Sequence, residues 1–257
     1  MSVIDPATVS PALYAALGSL AVVTGAVDAV AGGGGLIMMP ALIATGLPPH
    51  WVLGTNKLQS IIGTTTAAWR FRRAGLFSLR AGLPLAVLSL IGAAVGALLI
   101  RRIDAHALRL IVPLLLIGMA GYTLLSGRMA DQEEEPRLGP RGFAPVVAGI
   151  GFYDGFFGPG AGQFFAASLV GLRGMGLTRA MGLTKLLNMA SNLGSLVIFA
   201  AGGQVLWRLG LVMGLGAMTG ALIGSRLATR HGAALIRPLL VTVSLALTAK
   251  LLWAWFV

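Results

Sequence analysis

The chain has 257 residues, 56% of them hydrophobic and 11% charged, with a formal net charge of +11; an ordinary soluble domain carries roughly 25% charged residues. So few charges cannot coat a water-facing surface, which excludes a cytosolic enzyme. A membrane helix needs about 20 apolar residues, and the longest polar connection runs only from Arg128 to Arg141, so the chain reads as a polytopic membrane protein.

Apolar runs between polar or Gly/Pro breaks predict ten helical elements. The first half gives 10–30, 35–46, 54–70, 80–100 and 107–126. The second gives 143–157, 161–172, 182–201, 205–226 and 235–256. The organisation expected is a first membrane repeat over 1–126, a cytoplasmic linker over 127–142 and a second membrane repeat over 143–257. Elements 35–46 and 161–172 hold about 12 residues, ~18 Å of helix, against ~30 Å of hydrocarbon. Each reads as a half-helix that follows a broken first element.

Basic residues fall in short clusters between the apolar runs: Arg70, Arg72, Arg73 and Arg80; Arg101 and Arg102; Arg226, Arg230 and Arg237. No basic helical face with interleaved aromatics occurs, so the charge excess reads as loop anchoring and not as nucleic-acid binding. Placing loops 71–80, 127–142, 172–181 and 226–237 in the cytoplasm puts most arginines inside and leaves Arg101, Arg102, Arg109 and Arg208 outside. No Lys or Arg precedes Lys57, so the N-terminus lacks the positive start of a secretory signal. Both termini are then expected on the exterior side. Asp131, Glu133, Glu134 and Glu135 read as a solvated connector between halves. Trp207, Trp253 and Trp255 near helix ends read as interface anchors. His50, His106 and His231 lie far apart in or beside loops, a poor basis for a metal site. Cysteine is absent, which excludes disulfides, thiolate metal sites and cysteine nucleophiles.

The two halves align with each other. At an offset of 126, Gly25, Asp28, Gly32 and Gly34 match Gly151, Asp154, Gly158 and Gly160; after a two-residue insertion, Gly54, Lys57, Leu58, Gly92 and Gly96 match Gly182, Lys185, Leu186, Gly220 and Gly224. Five elements per repeat is an odd number, so the second copy enters the membrane upside down relative to the first. The fold class expected is therefore an all-α membrane protein of two inverted-topology repeats with glycine-broken half-helices near the midplane. That is an architecture of secondary transporters, whose sites lie where the repeats meet.

The rare charges obey the same repeat. The acidic residues within apolar elements are Asp28 and Asp154, and Lys57 and Lys185 are also equivalents. An ionisable group in hydrocarbon costs ~2.5–3.5 kcal/mol on insertion scales, so two symmetric sets call for a role. One reading pairs each aspartate with the lysine of its own repeat to pin the broken hairpin. The other gives the lysines a wetted face, because each lies at the start of an element among polar neighbours: Thr55, Asn56, Gln59 and Ser60; then Thr184, Asn188, Ser191 and Asn192.

Glycine tracts Gly32–Gly35 and Gly158-Pro159-Gly160-Ala161-Gly162 immediately precede the half-helices. Such tracts break a helix and expose amides at a helix N-terminus, which attracts anions. The amides of Gly33, Gly34, Gly35, Gly160, Ala161 and Gly162 are the candidates. No Gly-Lys-Ser/Thr follows, which excludes a phosphate-binding P-loop. Gly92/Gly96 and Gly220/Gly224 read instead as close helix packing through small residues. Two lysines and two helix N-termini converging on one cavity make a site for a small oxyanion or organic acid, with Lys57, Lys185, Asn56, Thr55, Thr184, Gln59 and Asn188 around it. Asp28 and Asp154 are structural or carry protons in a coupled cycle. Neither an HExxH-like spacing nor a Ser/His pair lies within the spans, so the chain does not read as an enzyme, and nothing in it calls for a cofactor. An anion channel with the same charged vestibule is the alternative, with an intramembrane enzyme behind it.

Asp28, the Gly32–Gly35 run, Pro40, Gly46-Leu47-Pro48, Gly54-Thr55-Asn56-Lys57 and Gly63, with Asp154, Gly158-Pro159-Gly160 and Gly182-Leu183-Thr184-Lys185-Leu186 in the second copy, resemble the sulfite exporter TauE/SafE family of membrane transporters. The resemblance spans nearly the whole chain. It implies a bacterial plasma-membrane carrier that moves sulfite, a sulfonate or another sulfur-containing or organic anion, with Asn56/Lys57 and Thr184/Lys185 near the substrate. Export by alternating access is the direction it implies.

Overall fold

A computed structural model describes residues 10–104, 131–232 and 234–235 of the chain. Among them every regular element is helical. Helix α1 spans Pro11–Ala31, opened by Ser10 as N-cap and closed by Gly32 in the left-handed region, whose amide donates to Asp28 O at 2.8 Å. Helix α2 (Gly34–Ala44) follows at once, and α3 (Pro49–Arg73) and α4 (Leu79–Ile100) complete the first half. The second half repeats the order with α5 (Pro140–Phe156), α6 (Ala161–Arg173), α7 (Leu177–Ala201) and α8 (Trp207–His231). The expected element 107–126 and all but the first residue of 235–256, together with His106, Trp253 and Trp255, lie outside the described residues.

Two starts differ from expectation. Helices α3 and α7 begin about five residues earlier than 54 and 182, so Lys57 and Lys185 stand inside helices instead of at their beginnings. The first of these starts comes from Pro49 at the first helical position, where a fixed φ and a missing N–H carry no penalty. The second comes from the linker: Asp131 accepts from the Thr178 amide at 2.8 Å and from its hydroxyl at 2.9 Å, capping α7. Each lysine is the ninth residue of a 25-residue helix. At 1.5 Å per residue its Cα stands ~12 Å into a helix of ~37 Å.

Four described helices are long and apolar enough to cross a membrane: α1, α4, α7 and α8. Their outward faces carry the large side chains. On α4 the exposed residues Leu83, Val87, Ile91, Val95 and Leu99 recur every fourth position, while Ala86, Ser89, Ala93, Gly96 and Ala97 are buried. Large residues outside and small ones inside invert the soluble pattern, as expected when lipid is the solvent and packing needs close backbones.

The connections gather at two ends. At one end lie 74–78, 131–139, 174–176 and Gly232: Glu134 N–H donates to Gly174 O at 2.8 Å, Leu138 N–H to Leu172 O at 3.0 Å, and Leu76 packs on Gly182. At the other lie 45–48, 101–104 and 202–206: His50 Nε2 stands 3.3 Å from Ile100 O, and Arg101 donates to Ile198 O at 3.0 Å. The acidic linker is exposed, as expected, yet docked, with Glu133 paired to Arg179. Helix α1 starts at the second end, where Leu17 packs with Leu53, Ile100 and Leu209. Helix α5 starts at the first, where Phe143 packs with Ala180 and Leu183.

Among the described residues the largest interfaces join the halves: α1 with α8, α4 with α5, α3 with α8, α4 with α7, and α3 with α7. Exchanging equivalent helices turns the first of these into the second, the third into the fourth, and leaves the fifth unchanged. Single contacts obey the same exchange. A Cβ on Gly92 would lie 2.3 Å from Ala148 O and one on Gly220 2.0 Å from Val22 O, and Val22 and Ala148 are equivalents. Only glycine lets these backbones meet.

Candidate functional site: crossed ion pairs around a polar cavity

The two glycine tracts meet in the middle of this packing. A Cβ on Gly162 would lie 2.8 Å from Gly32 Cα, and one on Gly35 3.4 Å from Pro159 Cα. Between the tracts and helices α1, α3, α5 and α7 lies a cavity of about 40 Å³ lined by Asp28, Asn56, Lys57, Gln59, Asp154 and Asn188, together with Gly34, Gly35, Gly160, Ala161 and Gly162. That is room for a few waters or one small ion.

The charged side chains pair across the repeats and not within them, contrary to the pinned-hairpin reading. Lys57 Nζ donates to Asp154 Oδ1 at 2.6 Å and also to the Asp154 backbone carbonyl. Lys185 Nζ donates to Asp28 Oδ2 at 2.9 Å. Each half therefore supplies the counterion of the other. The reason lies in the break: α1 ends three residues beyond Asp28 and α5 two residues beyond Asp154, which leaves each carboxylate near its helix end, where it meets the lysine of the other repeat.

The pairs differ in their surroundings. Lys57 and Asp154 are buried at the cavity wall, with side chains 2% and 5% exposed, and Ser191 Oγ donates to Asp154 Oδ2 as a further partner. Gly158 makes room for this pair: its φ is +104°, and a Cβ there would stand 2.9 Å from Lys57 Nζ. In the other pair Lys185 is fully buried, but Asp28 is 25% exposed and faces the cavity. Lys185 itself does not line the cavity. Asp28 stands between them.

Other expected site residues divide in the same way. Asn56, Gln59 and Asn188 line the cavity, and their buried carboxamide oxygens have no partner among the described residues. Such groups are costly unless a ligand or water serves them, and a carboxamide turned over presents its N–H donors instead. Thr55 belongs elsewhere: its hydroxyl accepts from the Leu206 amide at 3.0 Å and ties α3 to the turn before α8. Thr184 is buried beside Lys185, its hydroxyl without a partner among the described residues, and it too is set back from the cavity. Gly33 is the N-cap of α2, outside the lining. The Ala161 amide donates to Gly158 O at 3.0 Å and is committed to that turn, which removes it as an anion donor. Thr24 and Thr64 line the cavity without having been singled out. Each is four residues from a lining residue, Asp28 or Ser60, on the same helix face, and that spacing was the signal.

The match to a family model described as sulfite exporter TauE/SafE covers residues 17–251. A probable membrane transporter protein ORF9 of a Sinorhizobium species is 45% identical over 93% of this chain and 92% of its own length. Probable membrane transporter protein YfcA of Escherichia coli K12 is 42% identical over 95% of the chain and 91% of its own. A probable membrane transporter protein of Haemophilus influenzae is 39% identical over 95% and 97%. No solved structure matches.

Proposed function

The chain belongs to the sulfite exporter TauE/SafE family of membrane transporters, and on that premise we propose that it is a secondary carrier for a small anion, sulfite or another small sulfur-containing or organic acid, working by alternating access. The observation that carries the reading is a pair of buried ion pairs, each joining the two repeats, whose Lys57, Asp154 and Asp28 line one cavity with unserved carboxamides. A carrier that exposes one site to each side in turn needs two repeats that hold it from opposite directions. Helices α1 and α5 starting at opposite ends support an inverted arrangement. The arginine-rich end, with 70–80, 137–141, 173–179 and 226–230, is then cytoplasmic by the positive-inside rule, and the N-terminus exterior. Repeats of 1–126 and 143–257, joined by the linker, are the units that rock.

The substrate anion meets Lys57 and the carboxamides of Asn56, Gln59 and Asn188, with Lys185 reached through Asp28. Outward movement of an anion from a negative interior is assisted by ~2.3 kcal/mol per charge per 100 mV, so export proceeds without an obligatory coupling ion. The test is flux of radiolabelled sulfite from proteoliposomes. Lys57→Ala and Lys185→Ala should each abolish it while protein still inserts. Full flux in the double variant would remove the lysines from the mechanism.

A further inference from the structure

The two ion pairs are equivalents by sequence and both reach the cavity, but their carboxylates differ: Asp28 is 25% exposed and Asp154 5%. Resting on the carrier reading above, we propose that Asp28 is a tethered surrogate for the transported anion: its carboxylate holds Lys185 when the site is empty and yields it to substrate when the site is loaded. Three observations carry this. Lys185 is fully buried and does not line the cavity, and its described charge partner is Asp28, which does. Asp28 is the partly exposed member of the four, with one contact of 2.9 Å to Lys185 and space beside it to turn into. Asp154, by contrast, is 5% exposed and held by two donors, Lys57 and Ser191, a firmer hold than Asp28 has.

The consequence is functional. A carrier performing net transport must return empty, and an uncompensated ammonium inside the membrane opposes that return. With Asp28 in place, the empty site is neutral. The same carboxylate competes with substrate, because the binding-competent population is the fraction in which Lys185 is free, and apparent affinity falls by that fraction. Asp28 therefore exchanges tight binding for the ability to reset without cargo.

Asp28→Asn tests this, since asparagine retains an oxygen for Lys185 but no charge. Two fluxes of radiolabelled sulfite are compared in proteoliposomes: net efflux into anion-free buffer, and exchange against external sulfite. In Asp28→Asn, net efflux should fall at least about tenfold while exchange stays within about twofold, and sulfite should bind about tenfold tighter or more in a thermal-shift titration. Asp28→Glu should restore net efflux. Asp28→Ser, a smaller neutral residue, serves as the second variant should the asparagine fail to fold. Net efflux at the wild-type rate in folded Asp28→Asn or Asp28→Ser overturns the proposal, as does equal loss of exchange and efflux. Absence of any sulfite flux in the wild type, or full flux in Lys185→Gln, defeats the carrier reading instead.

Discussion

Lys57–Asp154 and Lys185–Asp28 occupy matching positions in a duplicated chain, yet one is a closed contact and the other is half open. Duplication fixes residue type and helix register, while packing decides what each copy does with them. The first pair gains Ser191 as an extra donor where the first repeat has Gly63 at the equivalent place, so the first repeat brings no such hydroxyl to Asp28. A carboxylate with two donors and little exposure is held in place. One with a single described donor and a quarter of its surface open is free to let go.

The sharpest way to break the comparison is to remove charge from each pair in turn. Asp154→Asn strands a buried ammonium and should cost about 3–5 kcal/mol in detergent-solubilised unfolding titrations. Asp28→Asn should cost clearly less, and added sulfite should recover part of the loss by mass action. Equal costs with no recovery would make the pairs alike and the distinction empty. Next in size is Thr55→Val, which orphans the Leu206 amide at the margin of the Lys57-bearing helix. A loss of about 1–3 kcal/mol is expected, with sulfite flux per folded molecule unchanged; a selective fall in flux would return Thr55 to the substrate site. The smallest effect belongs to Asp131→Ala, which removes the cap from the Lys185-bearing helix. About 1 kcal/mol should be lost, read as faster amide exchange at Thr178 and Arg179 and not around Pro49.

Most of the helical pattern was legible because lipid demands it: long apolar runs, arginine at one set of turns, glycine where backbones touch. The half-helices α2 and α6 were legible from the glycine tracts that precede them. The starts of α3 and α7 were not. One depends on a proline that also reads as a break, and the other on Asp131, which lies 47 residues from Thr178 in the chain. Asn56, Gln59 and Asn188 announced themselves by helical spacing around the lysines. The crossing of the ion pairs could not be read, because spacing along a chain carries no information on which of two equivalent partners a side chain will meet. Thr55 misled for the same reason, since its partner sits 151 residues away.

The separation of the ion-pair partners, 97 residues for Lys57 and 157 for Lys185, also bears on how the molecule is made. Asp28 and Lys57 leave the ribosome before Asp154 or Lys185 exists, so during synthesis the sole intramembrane acid available to Lys57 is the one in its own half. Neither observed ion pair forms until the second half arrives. A half-molecule alone never reaches that step.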